Sequence, residues 1–422
     1  MRKCKIFYGW IVVIGCMMLA AASTGFLSYF NALFVQQVTE DIRVSRTRYM
    51  AYATFSSLTT MIFMPFAARL FRKIPMKRLL YIGGALGALS QIIYSVASNV
   101  IMFYVGGIIA GVATCLYGAI PIAILTSNWF YEKKGIATGL AFAGTGIVSA
   151  VFTPVVQYMI DNFGYRAAYR FIAICIMAFV GIATGLLIKI DPTETGELPL
   201  GKEATTEKQQ YQREYVRTGF AKEQILHTKT FWLFATAIFL IGFFTMATQQ
   251  QLVAYWQEEG NSSEWSAMMY SVTMTVAIFA KIGLGFVYDK LSVKTASVLI
   301  CGTGVLDYIL LIAFTQGKMV IVPAALFGTV IAMQVIVTTY VTNRLFGEKE
   351  YGYIYGIMNP VLYCGVALGI PASAAIYECV GTYKIPWLLF AGFVAIVLIL
   401  ILFADKASRR EYREILHVER EE

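Results

Sequence analysis

Residues 8–35 read YGWIVVIGCMMLAAASTGFLSYFNALFV, and no lysine or arginine occurs from Ile6 to Ile42. A bilayer hydrocarbon core about 30 Å thick is crossed by about 20 apolar residues in a helix. The run starts just beyond Lys5 and exceeds the roughly 7–15 residues of a signal-peptide apolar region, so it reads as a first membrane span. Working outward, comparable runs lie near 48–70, 78–97, 100–127, 134–159, 168–189, 230–256, 264–288, 295–315, 319–343, 351–377 and 385–404. Lipid offers backbone groups no hydrogen bonds, so only helices or closed barrels cross it. Barrel strands alternate apolar and polar residues, and these runs do not. The expected fold is an all-α membrane protein with twelve transmembrane helices.

Composition agrees. The chain has 422 residues, 58% hydrophobic and 14% charged, against about 25% charged in soluble domains. The net charge of +9 is not a nucleic-acid footprint, because its distribution follows the spans. Twenty-six of the 34 basic residues fall on one side, including the dense Arg69, Arg72, Lys73, Lys77, Arg78 loop. Seven fall on the other: Arg43, Arg46, Arg48, Arg166, Arg170, Lys318 and Lys384. The positive-inside rule makes the first side cytoplasmic. Both termini then lie there, in a multi-pass protein of the cell membrane. The seven cysteines are scattered without a C-x-x-C pair, and the two histidines, His227 and His417, lie in polar segments. No metal, no cofactor and no catalytic residue is expected. The expected partners are a small-molecule solute and the lipid bilayer, with no nucleic acid, and the chain is expected to be a monomer.

The longest polar segment divides the spans six and six. The expected organisation is a first six-helix bundle at 1–190, a cytoplasmic linker at 191–229 with a short surface helix before His227, a second bundle at 230–404 and a cytoplasmic tail at 405–422. The halves repeat. Pro154 and Pro371, Gly164 and Gly381, Gly139 and Gly356, and Lys77 and Lys294 are each 217 positions apart. Arg72-Lys73 precedes Asp289-Lys290 by the same interval, and Phe130-Tyr131-Glu132 precedes Phe346-Gly347-Glu348 by 216. The two bundles are therefore read as pseudo-symmetric.

Longer motifs carry a resemblance. The first span opens Phe7-Tyr8-Gly9-Trp10-Ile11-Val12-Val13. The fourth ends Asn128-Trp129-Phe130 and is followed by Glu132-Lys133-Lys134-Gly135-Ile136-Ala137-Thr138-Gly139. The fifth carries Gly144-Thr145-Gly146 and Pro154, then Asn162-Phe163-Gly164-Tyr165-Arg166. Over essentially its whole length the chain resembles the major facilitator superfamily, and within it the monocarboxylate porter and oxalate/formate antiporter group. The resemblance implies alternating access, with a solute held near the midplane between repeats. It also implies a conformational latch at Gly285, Asp289, Lys290 and Lys294. The first-half copy departs from that motif, with Ala68, Arg72 and Pro75 standing where Gly, Asp and Gly are usual.

Ionisable side chains at membrane depth are costly and mark function. Two qualify. Lys281 lies eight residues before Asp289, about 12 Å up the helix. Similar proteins carry there an arginine that holds the substrate carboxylate. Asp307 lies in the ninth span and is expected either to serve in coupling or to form an ion pair with Lys281. Proton-coupled relatives place an acid four residues before the eighth-helix cation, where this chain has Ala277. Met358-Asn359-Pro360 stands where the oxalate exchanger has a second cation, which disfavours a dicarboxylate. Tyr29, Asn31, Tyr117, Gln249, Gln250, Gln334, Asn359 and Tyr363 are the uncharged candidates for lining the site; each alone also suits packing or interhelical hydrogen bonding. Pro121, Pro154, Pro360 and Pro371 are expected to mark bends.

The expected function is a secondary transporter of a small organic solute, a monocarboxylate-type anion, with Lys281 as charge partner. Two alternatives remain open at this point. An exporter of amphiphilic, drug-like molecules fits the nearly uncharged, aromatic spans. A non-transporting solute sensor would show linear, non-saturating uptake with ligand-dependent signalling.

Overall fold

The structure, a computed structural model, describes residues 7–130, 134–200, 222–347 and 351–421, with backbone alone at 68, 134, 135, 222, 223, 289, 351–353 and 413–421. Residues 201–221, most of the expected linker, and Glu422 lie outside the described residues.

The described elements are helices. The first half holds α1 (Tyr8–Ala20), α2 (Asn31–Asp41), α3 (Arg46–Lys73), α4 (Met76–Val96), α5 (Val100–Tyr117), α6 (Ala119–Trp129), α7 (Lys134–Phe163) and α8 (Tyr165–Ile182). The second holds α9 (Lys222–Ile225), α10 (Lys229–Glu258), α11 (Ser263–Lys290), α12 (Val293–Ala313), α13 (Ile321–Ile336), α14 (Thr342–Phe346), α15 (Tyr351–Val380) and α16 (Lys384–Glu421). Among the described residues, eleven stretches are long and apolar enough to cross a membrane. The remaining long helix is α3. Its 28 residues exceed the required length, but its Ser and Thr residues between Thr54 and Thr60 dilute its hydropathy. With α3 counted, the fold is twelve spans in two six-helix sets, as the sequence implies.

Several spans are composite. Three π-helical stretches, Ala21–Tyr29, Ala183–Leu187 and Val337–Val341, interrupt or end α-helical turns. Pro121 sits near the start of α6 and lacks the N–H that would bond the Tyr117 carbonyl. The chain accordingly breaks at Gly118, between α5 and α6. Pro154, Pro360 and Pro371 lie inside continuous α7 and α15. The charged tail continues α16 as helix to Glu421.

The chain separates into two compact units. One holds the described residues of Met1–Gln209 with Ser263–Ser271; the other holds those of Gln210–Ser262 and Val272–Glu422. Each is built on the same close approaches. A Cβ added to Gly111 would collide with the Ser56 carbonyl and, at 2.8 Å, the Thr59 side chain. At Gly328 it would meet the Thr273 carbonyl at 2.7 Å and the Ala277 nitrogen at 2.8 Å. Gly111 and Gly328, like Ser56 and Thr273, are 217 apart. Gly25 beside Thr145 recurs as Gly242 beside Leu362, at the same interval. Gly164 and Gly381 share a left-handed backbone, with φ of 81° and 73°. Small residues that let helix backbones touch replace hydrophobic collapse as the means of packing in lipid. The internal repeat is thus a repeat of contacts.

Candidate functional site

α11 presents two faces. Phe279, Ile282 and Phe286 are more than half exposed, as suits a surface against acyl chains. Met274, Ala277 and Tyr288 on the opposite stripe are buried. Lys281 belongs to this second stripe, one turn beyond Ala277 and one before Gly285. Ala277 is pinned by Gly328 of α13, and a Cβ on Gly285 would reach the Tyr340 hydroxyl at 3.3 Å. Tyr340 also stacks on Tyr288 at 6.4 Å between centroids. The two helices run side by side between these contacts, and Lys281 and Gln334 lie on the stretches so bracketed. Lys281 is half-buried and has no hydrogen bond or ion pair among the described residues.

Asp307 is fully buried in α12, and neither carboxylate oxygen has a hydrogen-bond partner among the described residues. The expected alternative of an ion pair between Lys281 and Asp307 is therefore not formed. The physical reason is direction. Asp307 lies on the stripe of α12 with Ile300, Gly304 and Leu311, and Gly304 abuts Val394 of α16 and Val330 of α13. Its neighbour Tyr308 packs on Phe327, Trp387 and Phe390 and shares a 2.9 Å hydrogen bond with Thr248.

The uncharged candidates divide between the units. In the first, Tyr29 closes the π-helical stretch of span one and Asn31 opens α2; the Asn31 amide donates to the Leu27 carbonyl at 3.4 Å. Tyr117 is buried and its hydroxyl donates to the Ala22 carbonyl at 3.3 Å. In the second, Gln249 is buried and its amide lies 4.0 Å from the Met274 sulfur, which places it on the Lys281 side of α10. Gln250 is buried, Gln334 half-buried, and Asn359 donates to the Tyr355 carbonyl at 3.2 Å. Tyr363 is half-buried on α15. The unit that carries Lys281 thus holds Gln249, Gln250, Gln334, Asn359 and Tyr363 as well.

Of the latch residues, Gly285 lies against Tyr340, and the Lys290 ammonium sits 4.4 Å from the centre of its own helix's Phe286 ring. Lys294 is exposed near the start of α12. The Asp289 side chain lies outside the described residues.

Two buried amides escape a reading of the sequence. Gln251 donates to Ser373 and approaches the Ile370 carbonyl at 3.5 Å. The run Gln249-Gln250-Gln251 is itself the signal, since consecutive helical residues point about 100° apart and only part of such a run can face one cavity. Gln91 of α4 is 1% exposed, with neither amide atom partnered among the described residues. A lone glutamine among apolar residues is its only trace in sequence. Among the described residues, no group of three metal-ligating side chains gathers.

These features define a polytopic α-helical membrane protein of repeated six-span halves with few ionisable groups at depth. Residues 15–364 match the family model of the Major Facilitator Superfamily, and the chain belongs to that superfamily. It is a transporter of that kind, and such transporters carry small solutes across membranes. Among curated relatives, monocarboxylate transporter 2 of Homo sapiens is 23% identical, over 96% of this chain and 86% of its own. Monocarboxylate transporter 13 of Rattus norvegicus is 24% identical, over 92% and 86%. Among solved structures, the nucleoside transporter NupG superposes with a TM-score of 0.69 at 11% identity, covering 94% of this chain and 99% of its own. A bacterial homologue of the human lysosomal transporter Spinster, inward-facing and occupied, superposes at 0.66 with 12% identity, over 96% and 98%. At such identities the structural likeness speaks to fold.

Proposed function

We propose that the protein is a secondary transporter of a small monocarboxylate-type anion, moved by alternating access, with the Lys281 ammonium as the charge partner of the carboxylate. The observation that carries this reading is the half-buried, unpartnered ammonium on the inward stripe of α11. A cation at membrane depth is expensive and needs a compensating charge. Among the described residues none is supplied, and the Asp307 oxygens have no partner there. An anionic solute supplies it. In this reading Gln334 and Gln249, uncharged residues of the same unit, offer neutral hydrogen bonds to the solute's remaining oxygens. Asp307 is the buried acid available for coupling, separate from the solute charge. The termini and the basic loops are cytoplasmic in this reading.

The test is uptake of radiolabelled pyruvate and lactate into proteoliposomes. Saturable uptake, competed by other short monocarboxylates and lost in Lys281→Gln, supports the reading. Uptake at the wild-type rate by that variant sinks it.

A further inference from the structure

The first residue of each unit's first span shares a feature that the repeat itself does not encode. Tyr8 opens α1, and Phe7 before it caps nothing with its side chain. The Tyr8 N–H instead donates to Glu197 Oε2 at 3.1 Å. Glu197 comes from the segment that follows the sixth span. Lys229 opens α10, and its N–H donates to Glu411 Oε1 at 2.8 Å, while the Thr230 hydroxyl donates to Glu411 Oε2 at 2.7 Å. Glu411 comes from the helix that prolongs the twelfth span. The first N–H groups of a helix have no partner of their own and carry partial positive charge, so a carboxylate there is held by both hydrogen bond and charge.

Each clamp also takes in the end of the fourth span of its unit. Behind the sixth span, the Lys189 carbonyl accepts from Trp129 Nε1 at 2.9 Å and the Ile190 carbonyl from Asn128 Nδ2 at 3.1 Å. The Leu200 N–H returns to the Trp129 carbonyl at 3.0 Å. A 3₁₀ turn, Pro192–Thr195, is capped by Asp191 and folds this strap so that Glu197 reaches Tyr8. The Lys189 ammonium lies 4.7 Å from the Tyr8 ring centre, and Phe7 packs edge-on to Trp129 at 5.8 Å. Behind the twelfth span, Ser408 Oγ donates to the Leu345 carbonyl at 2.6 Å. Leu345 and Asn128 are 217 positions apart. Glu411 and Glu197 are 214 apart, so one repeat offset does not superpose the two acids. The strap is an irregular segment and the tail a helix. Two different local structures deliver the same carboxylate to the same backbone position, which points to a shared mechanical need.

We infer that Glu197 and Glu411 are positioning residues: each ties the first span's start to the segment behind the sixth span of its own repeat, with the fourth span's end held alongside. Each six-span set thereby turns as one body when the carrier changes state. Without the tie, the first span could shift at its end while the rest of its set rotates, and part of the motion would dissipate as local fraying. The solute arm of the test rests on the transport reading above; the exchange arm does not.

The test compares Ala, Asp and Gln at each position in the full chain in nanodiscs. Gln keeps an acceptor at the same reach, Asp keeps charge but falls short by one methylene, and Ala loses both. Hydrogen exchange should show Tyr8 and its strap exposed in Glu197→Ala and Glu197→Asp, protected in Glu197→Gln, and unchanged around Lys229. The Glu411 series should show the mirror pattern. With pyruvate as solute, the Ala and Asp variants should lose about tenfold in turnover with KM within about twofold, and Gln should restore turnover. If an Ala variant does not fold, the Asp and Gln pair decides. Unchanged exchange in the Asp variants, or lost protection with wild-type turnover, overturns the inference. If the wild type takes up no pyruvate, the solute assignment fails, and the exchange pattern decides the clamp by itself.

Discussion

Lys281 and Asp307 show what one side chain decides in lipid. Lys281→Gln removes a cation that nothing in the described structure balances, so the fold should survive it. Saturable pyruvate uptake should fall about ten- to a hundredfold, the worth of a charge-assisted hydrogen bond of roughly 1.5–3 kcal/mol. Lys281→Arg should keep part of the uptake, since charge remains while the compact ammonium becomes a planar fork. Thermal unfolding on detergent-purified protein checks the first half of this expectation and initial uptake rates check the second; a Lys281→Gln protein that fails to fold would point to a structural cation instead. Asp307→Asn tests the buried acid. With no partner to orphan, the variant should keep its melting temperature within about 2 °C, well short of the several kcal/mol lost when a buried pair is broken. If Asp307 couples transport, the variant should still exchange labelled for unlabelled solute across the membrane while no longer accumulating it. Equal accumulation by variant and wild type would remove Asp307 from the mechanism. Both residues are legible in the sequence, because a charge inside a long apolar run stands out. Their relation is not: whether two ionisable side chains on consecutive spans pair depends on helix rotation, and here the two do not pair.

At the scale of elements, glycine separates contact from mere tolerance. Gly328→Val should destabilise the protein by about 1–3 kcal/mol or more, because the added atoms meet backbone rather than a movable side chain. A Cβ on Gly356, inside α15, would meet nothing within 4 Å. Gly356→Ala should therefore be neutral or stabilise by about 0.5–1 kcal/mol, through the backbone entropy a helical glycine forfeits. Fluorescence-detected size exclusion after heating ranks the two; a Gly328→Val protein as stable as wild type would mean that α11 and α13 do not touch there. The spans themselves are readable from apolar run length, since the bilayer sets one thickness for all of them. The π-helical stretches are not, because a π turn inserts one residue into a helix without changing its composition. The strap from Asp191 to Leu200 reads in sequence as the start of a linker for a related reason. Its residues are mostly polar, and polarity in sequence does not distinguish a solvated chain from one whose Glu197 accepts from Tyr8 and whose Leu200 N–H donates to Trp129.

For the whole molecule, the sidedness of the chain depends on α3. Eleven helices pass as spans on length and apolarity among the described residues, and an odd number would leave the two termini on opposite sides of the membrane. Counting α3 makes the number even. Charge argues for the even count: twelve spans put 26 of the 34 basic residues on one side and seven on the other. If α3 stayed on one side, everything from α4 onward would invert. The 189–229 segment and the tail would then face away from Arg2, Lys3 and Lys5, which splits the basic residues and breaks the rule that they stay cytoplasmic. The hydroxyl residues in the middle of α3 do not forbid crossing, because Ser57 and Thr60 are buried and Thr54, Ser56 and Thr59 are half-buried. Thr60 donates to the Ser56 carbonyl at 2.9 Å and to the Gly111 carbonyl at 3.2 Å, and Tyr49, Tyr52 and Ser57 are buried. A span that shows its hydroxyls to a neighbouring helix costs lipid nothing. The prediction is that reporters fused before Met1 and after Glu422 both act in the cytoplasm, and that cysteines placed at Arg43 and Arg78 are labelled from opposite faces by an impermeant maleimide. Labelling of both from one face, or a C-terminal reporter active only outside the cell, would take α3 out of the membrane and the even count with it.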